Sequence, residues 1–144
     1  MLDWLTLHLL ALLATSLIAG GMFFFSIIFA PLVFTKLPQA QASTFIRGVF
    51  PRYYSAIVFG SITALAAMAA SLVTYRLESI TMAAVAVTAI LARRLLLRVD
   101  TLRELATMDD QTSKRQFNHM HRMSVFMNVA KFVGVMFVLV RLSV

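Results

Sequence analysis

The chain has 144 residues, of which 60% are hydrophobic and only 13% charged, and it carries a formal net charge of +7. A soluble domain carries about 25% charged residues, so this composition excludes an ordinary water-soluble fold. The length accommodates one unit rather than two domains, and the lack of cysteine excludes disulfides, thiolate catalysis and thiolate metal sites.

The first element dominates the chain. Leu5 to Phe34 is a run of 30 residues without Asp, Glu, Lys or Arg. About 20 such residues cross the hydrocarbon of a bilayer as a helix. In lipid every backbone polar group must be satisfied internally, which leaves helices or a closed barrel. The apolar runs are continuous, not alternating, and rich in Leu, Ala, Met and Phe, so they predict helices. Residues 4–35 form the predicted first span. Only Asp3 stands where a signal peptide would carry basic residues, and the run is too long for a signal core, so the span is read as retained. Leu37-Pro38 ends it, because the residue before proline disfavours helix.

Gln39 to Val49 predicts a short interfacial helix, with Phe45 and Ile46 beside Arg47. The second span is expected over residues 51–75. Pro51 suits a first helical position, where its missing N–H costs nothing. Arg76 to Ser79 is read as a tight turn. The third span is expected over 80–97, with Arg93 and Arg94 near its end, where long basic side chains snorkel to water. Arg98 to Arg115 is the one sizeable polar stretch. The fourth span is expected over 117–142. The expected fold is therefore all-α: an integral membrane four-helix bundle in a single domain over residues 1–144, with an interfacial helix between the first two spans.

Basic residues set the orientation. The two connections on one side and their flanks hold ten Lys and Arg, whereas the other side holds only Arg76 and Arg141. The positive-inside rule places the basic side in the cytoplasm and both termini outside, in a bacterial inner (plasma) membrane if the source is bacterial. Arg52, Arg93, Arg94, Arg98 and Arg122 then form a cytoplasmic rim that contacts anionic lipid headgroups or an acidic partner. That placement accounts for the net charge without nucleic acid. Trp4, Tyr75 and Tyr53-Tyr54 fall at expected interfaces, where aromatic rings are favoured.

Small residues mark where membrane helices approach closely. They occur at Ser16 and Gly20 with Thr15 and Ala19, at Gly60 with Ala64 and Ala67 with Ser71, and at Ala83, Ala86 and Ala89. Packing within one bundle and a homo-oligomer face both fit this pattern.

The fourth span carries the most suggestive constellation: His121, Ser124, Asn128 and Lys131. At about 100° per residue the four share one face within roughly 80°. Lys131 lies near mid-bilayer, where a charge costs at least about 2.5 kcal/mol and usually faces the bundle interior or a wet cavity. One reading is a polar pocket with Lys131 as the partner of an anion or a proton. The other is a snorkelling lysine, with Ser and Asn bonding neighbouring helices. His8, in the first span, is a further candidate. Haem held between His8 and His121 is opposed by topology, since the two lie near opposite faces of the bilayer, about 20 Å or more apart. Haem on His8 alone, or a site of His8 with Lys131, stays open beside a purely structural histidine. No catalytic residue or metal site is predicted, because no Walker loop, G-x-S-x-G, H-E-x-x-H or Cys/His spacing occurs.

Three stretches carry a resemblance. Gly20-Gly21-Met22-Phe23 through Ala30-Pro31-Leu32-Val33-Phe34, then Val49-Phe50-Pro51-Arg52-Tyr53-Tyr54, resemble the transmembrane protein 205-like domain family. So does Phe117-Asn118-His119-Met120-His121-Arg122-Met123-Ser124 with Asn128. The likeness covers essentially the whole chain and implies membrane location and four helices, with no established reaction. A second likeness is to haem-binding membrane protoporphyrinogen oxidases, which carry an early histidine where His8 stands. Those enzymes follow it with a Trp-Phe-Ala-Gly type sequence, where this chain has Leu17-Ile18-Ala19-Gly20, and no histidine lies in the third span here. The sequence thus leads to a ligand-binding, transport-linked or accessory membrane component. Its competitors are a haem-dependent porphyrin oxidoreductase and an assembly partner of a larger membrane complex, engaged through residues 98–115.

Overall fold

The computed structural model describes the backbone of residues 2–69, 74–105 and 111–144, and the side chains of 5–38, 41–42, 44–69, 74–96 and 125–144. All described regular structure is helical. Helix α1 spans Leu2–Phe23, and its path continues through a π-helical segment, Phe24–Phe29, into α2, Ala30–Lys36. Helix α3 spans Gln39–Met68, α4 spans Arg76–Leu105 and α5 spans Gln111–Ser143. Helix α1 packs against α3 and α5, and α4 also packs against α3 and α5. The pairs α1/α4 and α3/α5 therefore face each other across diagonals.

The π segment has a cause in the sequence. In a regular α-helix the ring of Pro31 would crowd the carbonyl of Ile27, four residues back, and could not donate to it. The wider turns before it relieve that contact. The backbone N–H of Ala30 accordingly donates to the Phe25 carbonyl, five residues back. The expected stop at Leu37-Pro38 is also present. Leu37 is extended at φ −108° and ψ 145°, and the Pro38 carbonyl accepts from the Ala42 N–H at 2.9 Å to begin α3.

Helix α3 departs from expectation. The segment read as a separate interfacial helix and the second span form one helix, with Pro51 inside it. The reason is packing. Ala42 and Ile46 are buried against Phe25 and Val33, so the beginning of α3 folds back onto the π segment and α2. Helices α1 and α3 approach closely at Gly60, where a Cβ would lie 2.7 Å from Ile18 Cγ1. The small residues act as expected on α3 and α4, with Ala64, Ala67, Ala86 and Ala89 buried. On α1 the interior face is Thr15 and Ala19, whereas Ser16 and Gly20 point outward.

Three described stretches are long and apolar enough to cross a membrane: Leu5–Lys36, Arg76–Leu96 and Val125–Ser143. Helix α3 adds a charge-free stretch from Tyr53 onward, which runs into residues 70–73, outside the described ones. The outward surface of these helices is greasy: Leu17 is 80% exposed, Phe59 75% and Phe126 73%. Large apolar side chains turned outward in such number call for lipid as the surrounding solvent. The chain is an integral membrane protein.

Candidate functional site

A polar layer crosses the α3/α5 diagonal. Helix α5 runs unbroken from Gln111 to Ser143, so His121, Ser124, Asn128 and Lys131 share one helical face, as their spacing predicts. The side chains of His121 and Ser124 lie outside the described residues. Those of Asn128 and Lys131 point toward α3.

Lys131 is 4% exposed, and its Nζ has no hydrogen-bond partner among the described residues. Nζ lies 4.5 Å from the centroid of the Tyr54 ring. An ammonium over an aromatic face gains from the ring quadrupole, about 2 kcal/mol when desolvated. Glu78 is the one carboxylate among the described side chains, and it is committed elsewhere. A cation in this position is thus enclosed by protein with a π-face and no counter-charge among the described residues.

Tyr53, the neighbour of Tyr54, turns to the next part of the same layer. Its hydroxyl donates to Asn128 Oδ1 at 3.2 Å, and Asn128 Nδ2 donates to Ser26 Oγ at 3.1 Å. Ser26 belongs to the π segment, so the widened turns set the position of this acceptor. Phe25 stacks on Tyr53 at 4.2 Å between ring centroids. The side chains of three helical elements are thereby joined around one level of the protein. One turn of α5 separates Asn128 from Lys131, which makes the bonded network and the buried ammonium adjacent parts of one layer.

The opposite end of the helices holds a second polar group. His8 Nδ1 and the Tyr75 hydroxyl are 3.0 Å apart, and the two rings are stacked. Glu78, at the beginning of α4, accepts from Arg141 Nε at 2.7 Å, with its side chain 3% exposed and that of Arg141 52% exposed. This ion pair ties the start of α4 to the last turn of α5. Lys131 precedes Arg141 by ten residues, or about 15 Å of helix. His8 and Lys131 are therefore not brought together. Each sits at its own level, His8 with Tyr75 and Lys131 with Tyr54.

Of the basic rim, Arg52, Arg93 and Arg94 are exposed at the end of the protein away from His8. Arg52 Nη1 donates to the Gly48 carbonyl at 2.9 Å, while Arg93 and Arg94 line a groove between α3 and α4. The side chains of Arg98 and Arg122 lie outside the described residues, as do those of the stretch 98–115 considered as a partner contact. No cluster of metal-ligating side chains occurs among the described residues.

Sequence reasoning missed four members of these groups. Tyr53 and Tyr54 read as interfacial anchors, yet Tyr54 is 3% exposed and both rings turn inward. Their signal was position: they share the level of Asn128 and Lys131 once α3 and α5 are set parallel, both running toward the Arg141 end. Ser26 was hidden in a phenylalanine-rich run, and only Pro31 hinted at the irregular turn that presents it. Glu78 read as part of a turn, although it is a buried carboxylate matched by Arg141.

No curated protein and no solved structure matches the chain. A family model described as a domain of unknown function (DUF4149) matches residues 13–98. The matched region contains Ser26, Tyr53, Tyr54, Arg93 and Arg94, and stops short of Asn128 and Lys131. It covers more than half of the sequence, and the chain belongs to the DUF4149 family.

Proposed function

We propose that this chain is a binding or accessory component of the membrane, transport-linked and not itself an enzyme, which receives a small anionic group at Lys131. It works as a four-helix bundle in a bacterial inner membrane, with the Arg52, Arg93 and Arg94 end in the cytoplasm. The resemblance of the Val49 to Tyr54 stretch to the transmembrane protein 205-like domain supports the same setting.

One observation carries the proposal: the Lys131 ammonium is enclosed, has no hydrogen-bond partner among the described residues and lies over the face of Tyr54. Uncompensated charge at bilayer depth is expensive, and such residues mark substrate or ion pathways. A guest anion supplies the missing counter-charge, and the adjacent Tyr53–Asn128–Ser26 chain offers hydroxyl and amide groups to a guest that displaces part of it. A π-helical segment beside the layer agrees with this role, since such segments concentrate at functional positions.

Thermal unfolding of the purified protein in detergent tests it, with chloride, acetate and decanoate as probes. Wild type is expected to be stabilised by at least one of them, and a folded Lys131→Met variant by none. A wild type indifferent to all three, or a Lys131→Met variant that responds equally, would overturn the assignment.

A further inference from the structure

We propose that the groove between α3 and α4 is a specific seat for one anionic phospholipid of the cytoplasmic leaflet. The groove encloses about 400 Å³ and is lined by Ser55, Val58, Phe59 and Ile62 of α3 and by Ile90, Arg93 and Arg94 of α4. It is separate from the Lys131 layer and rests on different residues.

Its chemistry is graded along its length. Helices α3 and α4 run antiparallel, so Ser55, early on the lining face of α3, and Arg93 and Arg94, late on that of α4, fall toward one end of the groove, and Ile62 and Ile90 toward the other. One end is cationic and the other wholly apolar. A phospholipid has the same order, with phosphate at the membrane surface and acyl chain below it. Guanidinium groups bind phosphate oxygens bidentately, which gives geometry as well as charge. Among the described side chains neither arginine meets a carboxylate, because Glu78 is held by Arg141 at the opposite end. The Ser55 hydroxyl donates to the Pro51 carbonyl at 2.8 Å. Its proton is therefore taken, and phosphate recognition rests on the arginines. Phe59 and Ile62 are exposed, as a surface that meets a lipid chain must be. The groove holds the phosphate and the upper part of one chain, and the remainder lies in the bilayer.

Native mass spectrometry of the full chain, extracted in a mild detergent and offered phosphatidylglycerol or phosphatidylcholine, tests the proposal. Wild type is expected to retain one phosphatidylglycerol in preference to phosphatidylcholine. Two arginines at a membrane surface correspond to roughly a thirtyfold preference. The Arg93→Gln/Arg94→Gln variant should lose that preference, while Arg76→Gln, at the far end, should keep it. Val58→Trp, which fills the groove and spares both arginines, should also lose the retained lipid. Equal retention of the two lipids by wild type would overturn the proposal. So would unchanged retention by the double variant or by Val58→Trp, or displacement of the lipid by inorganic phosphate alone.

Discussion

Lys131 Nζ stands 4.5 Å from the centre of the Tyr54 ring, across a diagonal on which α3 and α5 face each other. The contact joins helices that are not neighbours in the packing. Its strength can be isolated by a double-mutant cycle with Tyr54→Leu and Lys131→Met, read by thermal unfolding in detergent. A coupling of about 1–2 kcal/mol is expected. Strictly additive losses would show that ring and ammonium are merely close.

Tyr53→Phe deletes the hydroxyl that donates to Asn128 Oδ1 and keeps the ring stacked on Phe25. Hydrogen bonds between membrane helices average about 0.6 kcal/mol and reach about 1.7. A loss within that range is expected by the same unfolding assay, with a further loss of similar size when Asn128→Leu is added, because that change also removes the bond to Ser26 Oγ. No further loss in the pair would mean that the bond from Asn128 to Ser26 contributes nothing.

The close approach of α1 and α3 makes Gly60 intolerant of a side chain. In Gly60→Ala the new methyl carbon would lie 2.7 Å from Ile18 Cγ1, and overpacking of this kind costs about 1–3 kcal/mol. Adding Ile18→Ala removes the obstructing atoms. The pair is expected to lose less stability than the two single losses summed. Full additivity would place the strain elsewhere.

The ion pair between Glu78 and Arg141 is asymmetric in burial, and its variants should be too. Arg141→Ala leaves a buried carboxylate without its partner, which is the costly way to break a buried pair. Glu78→Gln leaves a half-exposed guanidinium that water can solvate, and it keeps an oxygen for the hydrogen bond. Arg141→Ala is therefore expected to lower the unfolding temperature more than Glu78→Gln. The reverse order would show that Glu78 is satisfied without Arg141.

Much of the architecture was legible because lipid leaves the backbone few choices. The charge-free run from Leu5 to Phe34, the stop at Leu37-Pro38 and the shared face of Asn128 and Lys131 all follow from composition and helical spacing. What escaped depended on contacts between distant parts of the chain. Pro51 read as the start of a helix, but Ala42 and Ile46 gain burial against Phe25 and Val33 by extending that helix backward. Tyr53 and Tyr54 carry hydroxyls that suit an interface equally well, and only the position of α5 decides that they turn inward. Ser26 required the phase shift introduced before Pro31, which no count of apolar residues reveals. The lysine stripe gave half of the site, and its aromatic half became visible only across the diagonal.

Tyr53 and Tyr54 are consecutive, so their side chains leave α3 about 100° apart. One grips Asn128 and the other shields Lys131. Neither rotation nor sliding of α3 can release one grip while leaving the other untouched. The two tyrosines thus act like adjacent teeth of a gear meshed with α5. A displacement of α3 as a body therefore acts on the shield over the ammonium and on the bond to the amide together, and through the amide on the serine of the π-helical turns. Movement of α3 at Lys131 is thereby linked to the first membrane segment.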